Sequence, residues 1–304
     1  MDNNKIMIVG TGNVGASVAF ALLNQRTAVN EIVLTDIIAK DAEGEAMDLA
    51  DALAVAPSYV KISRGTYRDA KDCDVVVITA GAAQRPGETR MELLKKNVNI
   101  LKGMIEQIMA SGFNGIFLVV TNPMDVLTYF TWKFSGLPYE RVIGSGTVLD
   151  SARLKQRVAS YLNVNPKSVH AYQIGEHGDS EFSVWSLADV GGQQVTEMLP
   201  AEVLKGISEF VSGEAYQIIE KKGATYYGIA TCVAQILNCI LNDEMRVLPV
   251  SSYDNFSGTC FGWPSVVGRA GVVRRLDIKL SEKEGIALQK SVNVLKKAIK
   301  SVKI

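Results

Sequence analysis

The string Gly10-Thr11-Gly12-Asn13-Val14-Gly15 follows the apolar run Ile6 to Val9 directly and opens an apolar-periodic stretch, Ala16 to Leu23. Alone, G-x-G-x-x-G is a weak signal. Between a strand and a helix it reads as a phosphate-binding turn. Gly10 permits the tight turn, Gly12 lets backbone approach a pyrophosphate, and Gly15 lets the helix pack on the strand. The helix start then turns unpaired N–H groups toward the phosphates. A second apolar run, Glu31 to Thr35, ends at Asp36. That lies about twenty residues past the last glycine, where a carboxylate accepts both ribose hydroxyls of an adenosine and repels a 2'-phosphate. NAD is therefore the expected cofactor, in preference to NADP.

Histidine occurs twice, as His170 and His177. His177 sits in Gly175-Glu176-His177-Gly178-Asp179, a polar, glycine-flanked loop where no helical or strand pattern calls for it. An imidazole that titrates near neutrality suits a group that gives a proton to an oxygen as a carbonyl is reduced. Asp150-Ser151-Ala152-Arg153 offers partners. Residues three apart share one side of a helix, so Asp150 can orient and stabilise an imidazolium while Arg153 presents a planar fork to a carboxylate. Taken alone, a loop histidine and an i,i+3 pair read more readily as a satisfied residue and an ordinary surface ion pair.

The elements that must position these groups follow from periodicity. Short runs without polar alternation, Ile6 to Val9, Glu31 to Thr35, Val75 to Thr79, Gly115 to Val120 and Val142 to Gly144, suit strands buried on both faces. Helical stretches between them imply right-handed crossovers and a parallel sheet. From Leu149 the pattern changes to helical stretches up to Tyr161, Ala201 to Lys222 and Ala224 to Asn242, with a Gly191-Gly192 hairpin signal. This predicts an α/β chain: a Rossmann doubly wound parallel sheet over 1–146, then a mixed α+β substrate domain over 147–304. Ser281 with Glu284 forms a capping-box pattern before a stripe of Leu288, Val292, Leu295, Ile299 and Val302, expected to dock as a terminal helix.

Composition limits the function classes. At 47% hydrophobic and 21% charged the chain can bury a large core. Lys plus Arg and Asp plus Glu each number 32, so bulk attraction for nucleic acid or an anionic membrane is not expected. No apolar run reaches the length of a membrane span, and glycines interrupt the N-terminal run too early for a signal peptide. Cys73, Cys232, Cys239 and Cys260 show neither a C-x-x-C pair nor a metal-ligand cluster, so buried thiols are expected and no metal.

These residues resemble the L-lactate and L-malate dehydrogenase family, more closely its lactate branch. The motifs are Gly10 to Gly15, Ala80-Gly81 with Gln84 and Pro86-Gly87-Glu88-Thr89-Arg90, Thr121-Asn122-Pro123, Asp150 to Arg153 and Gly175 to Asp179; the resemblance runs to about Tyr227 and weakens beyond it. It implies NADH-dependent, reversible reduction of pyruvate to L-lactate in the cytoplasm, as in glycolysis and fermentation, with malate/oxaloacetate the alternative pair. His177 would be the acid/base group, Asp150 its orienting carboxylate, and Arg90 a loop residue closing over substrate. Arg153, Asn122, Gln84 and Thr225 would contact the substrate. The cofactor would lie against Gly10, Gly12, Asn13, Val14, Gly15, Asp36, Thr79, Ala80, Gly81, Val120, Asn122 and Ile229. Gln84 separates the branches, since a neutral residue there admits a methyl group; a one-residue slip would place Arg85 there instead.

The resemblance also implies a homotetramer with the 41–54 helix at one interface. Fructose 1,6-bisphosphate would be an effector held by Lys155 and His170, although the family's effector-binding arginine is here Lys155. Trp263 stands where the family has a smaller aliphatic residue, which bears on subunit packing. A rival from another class, a non-catalytic dinucleotide sensor or structural protein, would need only the Rossmann half.

Overall fold

The computed structural model describes residues 4–82, 87 and 89–302, leaving aside the side chain of Arg90. The first half runs β1 (Lys5–Val9), α1 (Asn13–Asn24), β2 (Glu31–Thr35), α2 (Ala39–Ala52), β3 (Lys61–Arg64), β4 (Val75–Ile78), α3 (Arg90–Ala110), β5 (Ile116–Val119), α4 (Met124–Ser135) and β6 (Val142–Gly144). The second half opens with α5 (Val148–Leu162), then five two-residue strands: β7 (Val169–His170), β8 (Gln173–Ile174), β9 (Phe182–Ser183), β10 (Asp189–Val190) and β11 (Gln193–Gln194). It continues through α6 (Val195–Met198), α7 (Ala201–Lys222) and α8 (Tyr227–Leu241) to β12 (Arg246–Asp254), β13 (Thr259–Gly268), β14 (Gly271–Arg275) and α9 (Glu282–Ser301).

One sheet organises the molecule. Its order is β14-β13-β12-β6-β5-β4-β1-β2-β3, and the six first-half strands are all parallel. Order reverses between β1 and β4, so the crevice at their carboxyl ends is the place where a doubly wound sheet binds ligands. The uniform Val/Ile runs are explained by burial on both faces. Ile6, Ile8, Ile32 and Leu34 face the layer of α1 and α8, while Met7, Val9, Val33 and Phe117 face the layer of α3, α4 and α9. In α9, Val292 and Leu295 are buried against the second layer, and Ser281 and Glu284 form the capping box.

The structure departs from the periodicity reading in three places. β3 is not legible in the sequence because it is a short, partly exposed edge strand. The stretch expected as helical from Ala224 begins only at Tyr227: Gly223 ends α7 at φ +85°, and Thr225 and Tyr226 form a non-helical connection. Finally β12, β13 and β14, from the second half, pair antiparallel onto β6 and extend the first-half sheet. Gly146 makes this join. It sits at φ +62°, and an added Cβ would lie 2.5 Å from both Pro249 O and Ser251 N. Among the described residues no helix is long and apolar enough to cross a membrane. All four cysteines are buried and unpaired, and burial pushes the Cys73 and Cys232 thiols up to about 12.

Candidate active site

At the carboxyl end of β1 the chain turns through Gly10, at φ +97°; a Cβ there would lie 2.6 Å from Ala80 N. Thr79 ties the two strand ends together, its hydroxyl donating to Gly10 O at 2.6 Å and Val9 O at 3.0 Å. A Cβ on Gly15 would fall on Gly10 O, whereas nothing lies within 4 Å of the position above Gly12. Gly12 thus keeps an open approach to backbone at the start of α1, which is what a pyrophosphate needs. Asp36 accepts from Thr11 N at 2.7 Å and Ile38 N at 3.1 Å, fixing its carboxylate at the rim. The adjoining cleft, about 760 Å³, is lined by Gly10, Asp36, Tyr67, Ala80 and Gly81 among others. Shape and donors fit a dinucleotide.

A second cavity, about 410 Å³, is lined by Asn122, Asp150, Arg153, His177, Asp179 and Glu181, with α7 forming one wall. Asp150 and Arg153 stand one turn apart on α5, both buried, with Arg153 Nη1 donating to Asp150 Oδ1 at 3.0 Å. His177 Nδ1 lies 2.6 Å from the other oxygen, Asp150 Oδ2. That contact commits Nδ1 to Asp150 and leaves Nε2 as the nitrogen available for proton exchange. Arg153 Nε is also 3.8 Å from Glu214 of α7.

Charge and burial set the protonation states. Burial works against the His177 imidazolium, but the Asp150 charge and its hydrogen bond more than offset this and hold the ring up to about 9. Burial likewise works against the Asp150 carboxylate, yet His177 and Arg153 keep it below the usual carboxylate range. At neutral pH the pair is an imidazolium next to a carboxylate, a loaded proton donor.

Of the expected site residues, the structure brings His177, Asp150, Arg153 and Asn122 to one cavity and Gly10, Asp36, Ala80 and Gly81 to the other. Asn13 and Val14 begin α1 beside Gly12. Thr225, Val120 and Ile229 are half-buried and line neither cavity; Val120 and Ile229 pack on the first core layer. Lys155, half-buried on α5, has its ammonium lowered by burial and by the nearby Arg246, while His170 is exposed on β7. Gln84 and Arg85 lie outside the described residues, as does the Arg90 side chain, although Arg90 begins α3 behind a Thr89/Glu92 capping box.

Three residues escaped the sequence reading. Asp125, buried in the first turn of α4, accepts the His177 backbone N–H at 2.7 Å and the Ser251 hydroxyl at 2.6 Å. It ties the loop of His177 to α4 and β12, and burial pushes its carboxyl up to about 7. Asn97, buried on α3, accepts from Ala82 N at 2.8 Å and donates to Asn122 O at 3.2 Å, linking the two cavity rims. Glu181 is the third. A polar residue amid the apolar positions Leu94, Val98 and Leu101 was the available signal for Asn97; Asp125 sits three residues after Asn122, close to a motif that had been noticed.

Residues 4–144 match the lactate/malate dehydrogenase NAD binding domain, and residues 147–304 match the lactate/malate dehydrogenase alpha/beta C-terminal domain. The chain is 50% identical to the L-lactate dehydrogenase 1 of Peribacillus psychrosaccharolyticus, over 97% of this chain and 96% of that one. It is 48% identical to an L-lactate dehydrogenase 1 of Bacillus cereus, over 98% of each. Among solved structures, the minor L-lactate dehydrogenase of Enterococcus mundtii in its ligands-bound form superposes with a TM-score of 0.98 at 43% identity, covering 100% of both chains. A lactate dehydrogenase from a Medee basin deep-sea metagenome library gives 0.97 at 46% identity, covering 99% of both.

Proposed function

Because the chain belongs to the lactate/malate dehydrogenase family, we propose that it interconverts pyruvate and L-lactate with His177 as the acid/base group. It is an NAD-dependent oxidoreductase. The Gly10 turn and Asp36 would hold the dinucleotide, whose reduced form would supply the hydride for pyruvate reduction and whose oxidised form would accept it from lactate. The chain's own residues do the rest. Arg153 receives the substrate carboxylate on its planar fork, and Asn122 hydrogen-bonds the reacting oxygen. His177, protonated and held by Asp150 through Nδ1, passes the Nε2 proton to that oxygen; in lactate oxidation the neutral ring takes it back. The family resemblance assigns closure over the substrate to Arg90 and discrimination of the substrate side chain to Gln84.

The observation that carries this reading is the 2.6 Å contact of His177 with Asp150 on a cavity that Arg153 also lines. A dinucleotide sensor has no use for that cavity. Side-by-side assays test it: with NADH, the rate on pyruvate is expected to exceed that on oxaloacetate by at least about tenfold, and the reverse order assigns the malate branch. His177→Ala is expected to keep NADH binding within about twofold while losing at least about a hundredfold in kcat. Near-normal turnover in that variant removes His177 from the chemistry.

The proposal extends to assembly, location and control. Ile37, Ile38, Met47, Val55 and Tyr59, on and around α2, are exposed apolar side chains, which supports burial of that helix in a homotetramer. Four buried, unpaired thiols suit the cytoplasm. The cations Lys155 and Arg246, with His170 on the neighbouring β7, support a fructose 1,6-bisphosphate site. Titrating that effector at subsaturating pyruvate is expected to raise the rate, and a flat titration removes it.

A further inference from the structure

Glu181 plays no part in the chemistry above, yet its carboxyl stands behind the catalytic pair. Its oxygen, an Asp150 carboxylate oxygen and a His177 ring nitrogen all lie within 4.8 Å of one another, so the two carboxyls are close neighbours. Its orientation is fixed from the far side. Ser183 donates to Gln173 Oε1 at 2.8 Å, which turns the amide so that Gln173 Nε2 donates to Glu181 Oε1 at 3.1 Å. One Glu181 oxygen is thereby occupied by the Gln173 amide.

Asp150 is buried and Glu181 half-buried on the cavity wall; two carboxyls this close favour sharing a proton, because the charge of one opposes ionisation of the other. The donors decide which keeps it. Asp150 receives two cationic donors, His177 Nδ1 at 2.6 Å and Arg153 Nη1 at 3.0 Å, and so stays ionised. Among the described residues Glu181 receives only the neutral Gln173 amide. We propose that Glu181 is a neutral carboxylic acid donating its proton to Asp150, a positioning residue that supplies the third donor on the carboxylate orienting His177. The titration tendencies agree: burial first, then the Asp150 charge, hold the Glu181 carboxyl well above its ordinary value.

The arrangement matters for an anionic substrate. With Glu181 neutral, the cations His177 and Arg153 are balanced by Asp150 and Glu214, and the cluster meets an entering carboxylate with no net charge. With Glu181 ionised it would carry one net negative charge. The other charged groups around the ring are already engaged: Asp125 of α4 with Ser251 and the His177 N–H, Glu214 of α7 with Arg153, Glu176 with Ser180, and Asp179 with Tyr216. Glu181 is the group whose proton sets the balance.

The inference rests on His177 being the acid/base group, and two variants with two readouts separate the questions. Glu181→Gln keeps a neutral donor toward Asp150 and an acceptor for Gln173. Its pH profile of kcat/KM for pyruvate is expected within about 0.3 unit of wild type. If Glu181 is ionised, Gln removes a charge beside the imidazolium and the alkaline limb drops by about one unit or more, which overturns the proposal. Glu181→Ala withdraws the donor, so Asp150 is expected to hold the imidazolium more tightly and the limb to rise by about half a unit; an unmoved limb equally overturns it. Independently of turnover, the infrared difference spectrum of wild type minus Glu181→Gln at neutral pH is expected to contain a protonated-carboxyl C=O band. Its absence removes the shared proton, whereas a band in a protein that fails to reduce pyruvate leaves the proton in place and rejects only the reading of function.

Discussion

His177 shows how one side chain acquires its protonation state from its surroundings. The Asp150 contact holds the imidazolium up to about 9, so the protonated ring is the resting form at neutral pH. In the proposed reaction pyruvate reduction needs that form, and kcat/KM for pyruvate is expected to be level below about pH 8 and to fall as pH rises through about 9. Lactate oxidation needs the neutral ring and is expected to rise over the same interval. Parallel profiles in the two directions contradict the assignment. Asp125 makes a different prediction. Its native carboxyl holds a proton up to about pH 7, while an unfolded aspartate has lost its own by about pH 4. Between those values the native state binds more protons, so this group removes stability as pH rises and removes none further above the window. Asp125→Asn keeps an acceptor for the His177 N–H and is expected to flatten the pH dependence of the urea midpoint in that window. Asp125→Ala frees the loop and is expected to lower kcat about tenfold. Equal kcat in the two variants would show that the loop needs no anchor there.

At the scale of elements, the β1-to-α1 turn has the least room for change. Gly10 combines φ +97° with a backbone contact at Ala80 that leaves no space for a methyl group. Gly10→Ala is therefore expected to cost about 1–3 kcal/mol in stability and to weaken NADH binding at least about tenfold, measured by fluorescence titration, because the phosphate turn and the Ala80 rim move apart together. Gly12 offers the contrast: its Cβ position is empty, so Gly12→Ala should leave the melting temperature nearly unchanged while still weakening NADH. A large loss of stability in Gly12→Ala would show that the open approach over that residue is needed for folding and not for a ligand. The glycine turn, Asp36 and the α5 pair were legible because each depends on residues close in sequence. Thr79 over Gly10, and Asn97 between Ala82 and Asn122, are contacts between segments that pattern reading treats separately.

For the whole molecule, the second half completes the first. α8 packs on α1, and β12 to β14 continue the sheet from β6, so the cavity walls are held by elements from both halves. The exposed apolar side chains on the α2 side bear on the proposed homotetramer. If the proposed homotetramer packs through α2, the double variant Ile38→Glu, Met47→Glu is expected to sediment as a smaller species than wild type, with the monomer fold retained by circular dichroism. An unchanged sedimentation coefficient would place the interface elsewhere.

Local spacing determined the phosphate turn, the acidic rim at Asp36, the Asp150 and Arg153 pair and the alternation that builds the parallel sheet, since glycine geometry and helical and strand periods act over a few residues. Only the tertiary structure decided that His177 meets Asp150 across 27 residues, that Asp125 reaches His177 across 52, and that Glu181 stands against the same carboxylate. Those contacts fix the protonation states, because burial and neighbouring charge act through space, and a sequence orders residues only along the chain.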